Sequence, residues 1–308
     1  MEPIRPRRSV LFMPGSNARA LDKARELPAD GLIFDLEDAV APDAKDGARA
    51  TVAAAVKSGG YRRRELVLRI NPLDSAWGEE DLAVAAALPL DAVLLPKVET
   101  AEQASLAEKG LAALGAPPRL AIWCMVETPR GVLAAAAIAA AGPRVAALVL
   151  GTSDLTKELR ALSSRDRLPL LTSLGLVILA ARAHGKTVLD GVHLDLGDED
   201  SFVAACRQGR ELGFDGKSLI HPNQIAAANM AFGPLPAEIA DARRVIAAHA
   251  EAGAAGRGVV LLDGRLIENL HVVEAHRILA LAEAIDALGR GSAAGPHPQP
   301  LSQGERGA

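Results

Sequence analysis

Eight short apolar runs recur along the chain, and each is followed by a stretch of different periodicity. The runs are Ser9–Met13, Leu32–Leu36, Leu66–Ile70, Ala92–Leu95, Leu120–Val126, Val145–Leu150, Thr187–Val192 and Gly213–Ile220. Between them lie Ala-rich amphipathic segments of helical length, such as Asp43–Lys57, Thr100–Leu114 and Asp198–Leu212. Strands that alternate with helices build parallel crossover units. Eight such units predict an α/β fold closed into a (β/α)₈ barrel rather than an open sheet. Composition agrees. Hydrophobic residues make up 49% of the 308 but aromatics only 3%, so the core must be built from Ala, Val, Leu and Ile. That suits parallel strands covered by helices on both faces. Local signals mark the boundaries: Thr128 before Pro129, Pro42 before Asp43 and Pro222 each suit the opening turn of a helix.

The pattern changes near residue 230. The barrel is expected over 1–230. A C-terminal helical extension follows over 231–290, with helices at Ala237–Ala252 and Val272–Leu288 flanking Gly-rich Gly253–Gly264. From Gly291 onward Gly, Pro, Ser and Gln dominate, and 291–308 is expected to be a disordered tail. The net charge of −4 carries no basic block, which argues against nucleic-acid binding. The short basic stretch Arg5 to Arg8 is read as a solvated N-terminal arm. Cys124 and Cys206 are the only cysteines, too few for a disulfide framework or a zinc site. No apolar run reaches membrane-spanning length and no signal peptide is evident, so a cytoplasmic protein is expected.

In a barrel of this type the reactive groups sit at the C-terminal ends of the strands. Here those ends carry Asp35-Leu36-Glu37-Asp38, Arg69 before Asn71, Lys97 before Glu99, Glu127, Asp154, Asp190, and Lys217 with His221. Glu127 and Asp154 follow what should be neighbouring strands. Two carboxylates supplemented by water and substrate oxygens suit Mg²⁺, with Mn²⁺ as the alternative. Equally, each could simply sit at a helix N-terminus. Arg69 lies in an apolar run, so it must face the barrel mouth or meet a carboxylate. It could contact substrate, pair with Glu37 or Asp38, or do both. Lys97 could be a Schiff-base nucleophile or an ion-pair partner, and its acidic surroundings favour the ammonium. The turn Pro14-Gly15-Ser16-Asn17 permits close backbone approach and helix capping, or an anion site. His221, alone before a proline, reads as structural more readily than as catalytic.

Taken together, these motifs resemble the β-subunit family of citrate lyase, which includes malyl-CoA and citramalyl-CoA lyases. The matching stretches are Arg8-Ser9-Val10-Leu11-Phe12-Met13-Pro14-Gly15, Asp35-Leu36-Glu37-Asp38-Ala39-Val40, Leu68-Arg69-Ile70-Asn71, Leu95-Pro96-Lys97-Val98-Glu99, Glu127-Thr128-Pro129, Ser153-Asp154-Leu155, Asp190-Gly191-Val192 and Gly213 to Pro222. The likeness runs over residues 7 to 288. It implies a barrel with a C-terminal extension, assembled as a trimer or hexamer. It also implies Glu127 and Asp154 as magnesium ligands, Arg69 at the substrate oxygen, and Glu37 and Asp38 as its acidic supports. Phe12, Pro14, Gly15, Lys97, His221 and Pro222 fall where substrate and CoA contacts are expected.

One departure stands out. Several family lyases place an aspartate base on the extension, donated to a neighbouring subunit, and Glu268 falls at that position here. Either Glu268 is a base of altered reach, or the chemistry differs, or it is a solvated interface residue. The resemblance implies a Mg²⁺-dependent carbon–carbon lyase acting on a 3-hydroxyacyl-CoA such as malyl-, citramalyl- or citryl-CoA, giving an acyl-CoA and a 2-keto acid. The alternatives are a malyl-CoA thioesterase, a metal-dependent aldolase on free keto acids, and a lyase subunit that requires a partner.

Overall fold

The computed structural model describes residues 4–254 and 258–293. Eight parallel strands close in chain order: β1 (Ser9–Pro14), β2 (Gly31–Asp35), β3 (Glu65–Arg69), β4 (Ala92–Leu95), β5 (Ala121–Val126), β6 (Val145–Leu150), β7 (Thr187–Asp190) and β8 (Gly216–Leu219). Pairing of β1 with β8 completes the barrel. The expected (β/α)₈ architecture is therefore present. The expected eighth run was too long. Gly213 is not strand but the left-handed residue that ends helix Glu199–Leu212, at φ 106°. A left-handed stop of this kind is what glycine provides at a helix C-terminus.

Side chains alternate across each strand, and the two faces form two cores. Val10, Ile33, Val67, Leu94, Trp123, Met125, Val149 and Leu189 fill the barrel interior. Leu11, Leu32, Phe34, Leu68, Val93, Cys124, Leu148 and Val188 face the helices. This period of two decides what reaches the mouth. Following Ile33 inward by two gives Asp35, Val67 gives Arg69, and Trp123 then Met125 gives Glu127. Ala147 and Val149 lead to Gly151.

Contrary to the sequence expectation, Arg7 and Arg8 of the basic arm are largely withdrawn from solvent, while Arg5 is exposed. Arg7 donates to both oxygens of buried Glu65 at 2.6 and 2.8 Å and to Thr187 Oγ1 at 2.6 Å. Its guanidinium lies 5.3 Å from the Trp123 ring centroid. Arg8 binds Asp30 at 2.8 Å and Arg5 binds Asp91 at 2.8 Å. These acids sit at or just before the starts of β2, β3 and β4. The arm therefore closes the end of the barrel opposite the mouth, where charges read from the sequence alone had no visible partner.

Beyond the barrel, helices Pro236–Ala254 and Asn269–Ala293 pack together with a hairpin of β9 (Val260–Leu262) and β10 (Arg265–Ile267). Ala242, Val245, Ile267 and Ala275 form a small core of their own. The hairpin falls in a segment read only as Gly-rich. Its signal was the Asp263-Gly264 pair, which takes φ 49° and 78°, the positive values that a two-residue hairpin turn requires. The helix runs through Ala293, so the expected tail does not begin at Gly291; residues 294–308 lie outside the described residues. No helix among the described residues is long and apolar enough to cross a membrane.

Candidate active site

The inward-facing charges meet in a cavity of about 380 Å³ at the C-terminal ends of the strands. Phe12, Pro14, Asp35, Asp38, Arg69, Met125, Glu127, Gly151 and Asp154 are among its lining residues. Strand register explains the central pair. Asp35 and Arg69 are direct partners across β2 and β3. Arg69 Nε and Nη2 each donate to one oxygen of Asp35 at 2.6 Å, a two-pronged contact. Its Nη1 lies 2.9 Å from Glu37 Oε2 and 3.7 Å from Asp38. The ring of Phe12 covers the guanidinium at 4.8 Å. Burial works against the Arg69 charge, but Asp35 and Glu37 outweigh it and hold the pKa above the ordinary arginine value.

The sequence reading named Glu37 and Asp38 as the supports of Arg69. The main support is instead Asp35, with Glu37 second and Asp38 peripheral. Asp35 is 1% exposed, and it also accepts the backbone N–H groups of Glu37 and Ala39 at 2.9 and 3.1 Å. The period of two from Ile33 could have identified it. Lys45 was also missed. Its ammonium, 5% exposed as a residue, donates at 2.7 Å to the carbonyls of Leu36 and Glu37 and to Asn71 Oδ1. Asn71 in turn binds Asp81, which pairs with Arg49 at 3.0 Å. This chain of contacts fixes the backbone that carries Glu37.

Glu127 sits beside β6 because Gly151 leaves it room. A Cβ at position 151 would lie 2.3 Å from both Cβ and Oε2 of Glu127. Glu127 Oε1 accepts the backbone N–H of Lys97 at 2.8 Å. Asp154 projects from the first turn of helix Thr152–Glu158 into the same cavity. Both carboxylates line the cavity, as do Asp35 and Asp38. Among the described residues no group of three or more His, Cys, Asp or Glu side chains is placed to hold a metal ion. An ion here would complete its shell with water or substrate oxygens, the habit of magnesium. The donors are all hard oxygens. Glu37 Oε2, buried and ion-paired to Arg69 without a hydrogen bond, is an acceptor left open. The residues present therefore fit a hard divalent cation.

Burial pushes the Glu127 carboxyl up to about 7, against the opposing pull of the Lys97 N–H and ammonium. The buried Glu37 carboxyl is raised as well, burial outweighing Arg69 and Lys97. A carboxyl whose pKa rises on folding holds its proton more tightly in the native state. The stability it contributes is complete below the unfolded value of 4.5 and is lost as pH climbs through about 7. Without divalent cations, the thermal midpoint should therefore fall over that window. Glu127→Gln should flatten the slope, and an equally steep fall in that variant would show that Glu127 is not responsible.

The remaining expected site residues divide. Gly15 N donates to Asp35 O at 2.8 Å, and a Cβ there would come within 2.7 Å of that oxygen, so close backbone approach explains this glycine. In the same turn Asn17 caps the following helix by accepting Ala20 N–H at 3.0 Å. Lys97 reaches Glu37 Oε1 at 2.5 Å. His221 is exposed, and its Nδ1 accepts the N–H of Asn223 at 3.3 Å, capping the short helix that Pro222 opens. Glu268 lies at the junction of β10 and the last helix; it is not among the residues lining its own chain's cavity.

A closed α/β barrel whose mouth joins a buried guanidinium to a ring of carboxylates defines a class of enzyme scaffold, with the reactive groups grafted on strand ends. The model of the HpcH/HpaI aldolase/citrate lyase family matches residues 8–222. The chain belongs to that family. It is 50% identical over 282 residues to a (3S)-malyl-CoA thioesterase of Cereibacter sphaeroides, covering 92% of this chain and 96% of the relative. It is 37% identical to the citrate lyase subunit beta of Escherichia coli over 91% of this chain and 94% of that one. A crystal structure of protein CitE from Mycobacterium tuberculosis, in complex with magnesium, acetoacetate and coenzyme A, superposes with a TM-score of 0.72 at 31% identity, covering 89% of this chain and 97% of that one.

Proposed function

We propose that the protein is a divalent-metal-dependent enzyme acting on the CoA thioester of a 3-hydroxy acid of the malyl-CoA type, and that its reaction is hydrolysis of the thioester. The observation that carries this reading is the 50% identity to a (3S)-malyl-CoA thioesterase across nearly the whole of both chains, against 37% to a citrate lyase subunit. The sequence alone favoured carbon–carbon cleavage and kept hydrolysis as the alternative; the similarity reverses that order.

Magnesium held by Glu127 and Asp154 would supply electrophilic help at substrate oxygens. The chain's own residues do the rest. Arg69, preset by Asp35 and Glu37, points a fixed positive charge into the cavity where negative charge develops on the thioester oxygen. Its orientation is already established in the folded chain, so little reorganisation is needed during reaction. Water adds to the thioester carbon, the C–S bond breaks, and the products are the free hydroxy acid and the CoA thiol. Phe12 and Met125 form an apolar wall that strengthens these charges by excluding water. We further propose that the extension of one subunit closes the mouth of its neighbour and brings Glu268 there as a general base.

The second reading, carbon–carbon cleavage, rests on the same groups. Loss of the substrate hydroxyl proton would break the adjacent C–C bond, Arg69 would hold the thioester enolate, and Glu268 would protonate its carbon. Product analysis separates the two. With Mg²⁺ and malyl-CoA, hydrolysis releases free malate and a titratable thiol. Glyoxylate with acetyl-CoA would instead establish the lyase and overturn hydrolysis.

A further inference from the structure

Three lysines stand near strand ends of this barrel, and one of them is held differently from the others. Lys217 is 1% exposed, its ammonium bonded to Asp190 at 2.9 Å and to the Gly191 carbonyl. Lys45 is likewise buried and bonded to three oxygens. Both are saturated and fixed. The Lys97 side chain is 41% exposed and, among the described residues, meets only Glu37 at hydrogen-bond distance, 2.5 Å. Beyond it lie Asp38 at 3.7 Å and Asp154 at 3.9 Å. Glu127 is tied to the same residue through the backbone N–H of Lys97. One half-exposed ammonium thus stands among four acids from three different strand ends, those of β2, β5 and β6.

The backbone at Lys97 is left-handed, at φ 49°, an uncommon state for a residue with a side chain. Such strain persists where the surroundings demand it. Here it turns the N–H toward Glu127 while the side chain reaches Glu37, Asp38 and Asp154. Carboxylates gathered this closely repel one another unless a cation lies among them.

We propose that Lys97 is the resident counter-ion of the acid cluster: its ammonium holds Glu37, Asp38 and Asp154 together in the metal-free protein and withdraws when a divalent cation binds. This inference rests on the metal reading above. A long, flexible, half-exposed side chain can retreat into water at little cost, which Lys45 and Lys217 cannot do. The ammonium and the incoming ion therefore compete for the same carboxylates.

The test is Mg²⁺ titration of the metal-free protein by calorimetry, paired with thermal unfolding with and without Mg²⁺. Lys97→Met should bind Mg²⁺ about tenfold more tightly, because a repelling charge is gone. Its metal-free form should unfold at a lower temperature than the parent, and saturating Mg²⁺ should restore most of that loss. Lys97→Asn, which tolerates the left-handed backbone better, should behave the same way, and Lys97→Arg should stay near the parent. Unchanged or weaker Mg²⁺ binding in both Lys97→Met and Lys97→Asn would overturn the counter-ion role while leaving the metal site standing. If the parent protein shows neither a saturable heat nor a thermal shift with Mg²⁺, the metal reading fails and this inference falls with it.

Discussion

Arg69→Met should lower the rate of CoA-thioester turnover by about 10²–10³-fold, the loss typical when one preorganised donor to a developing oxyanion is removed. The same change should destabilise the protein by about 3–5 kcal/mol, because a buried ion pair loses one partner. Asp35 and Glu37 are 1% and 5% exposed; without the guanidinium Asp35 loses its ion-pair partner, while Glu37 keeps Lys97 at 2.5 Å. The two-pronged contact with buried Asp35 is what makes the loss costly. The two effects can be separated. Adding Asp35→Asn to Arg69→Met removes the stranded charge and should recover much of the thermal midpoint without recovering turnover. Recovery of both would mean that Arg69 acts only as a structural partner. Near-normal turnover in Arg69→Met alone, measured by thiol release, would remove it from the mechanism altogether.

The second large effect is expected at a residue with no functional group. Gly151→Ala should weaken Mg²⁺ binding by about 100-fold, comparable to the larger losses seen when the groups that orient a ligand are altered. The argument is space rather than backbone freedom. Gly151 has φ −103°, which any residue can adopt, but an added Cβ would overlap the Cβ and Oε2 of Glu127 at 2.3 Å. Glu127 cannot yield easily, since its other oxygen is held by Lys97 N–H and its Cβ by the strand before it. The variant should keep the barrel, with far-ultraviolet circular dichroism like the parent, and lose metal-dependent turnover. Parent-like Mg²⁺ affinity in Gly151→Ala would show that Glu127 is not a ligand.

Much of the scaffold could be read before any coordinates. Eight apolar runs bounded by turn and cap residues are a local signal, and β1 through β6 lie where those runs lie. The acids and bases at the strand ends were visible for the same reason, since a charged residue closing an apolar run has few places to go. What could not be read was which of them meet. Asp35 looked like one member of an acidic string; register across β2 and β3 made it the clamp on Arg69. Lys45 carried no distinguishing signal within its helical segment; packing buried it under the loop that carries Glu37. Arg5, Arg7 and Arg8 looked solvated because their partners Asp91, Glu65 and Asp30 lie far along the chain.

The sequence by itself determined the alternation of strand and helix, the period of two that carries Asp35, Arg69 and Glu127 inward, and the residue types available for chemistry. Those depend on neighbours a few positions apart, whose steric and hydrophobic preferences are written locally. Only the tertiary structure decided the pairings: Asp35 with Arg69, Gly151 yielding space to Glu127, and Lys97 among the acids. Each of these joins residues from different strands of a closed barrel, and such distances are set by closure and packing rather than by any local preference.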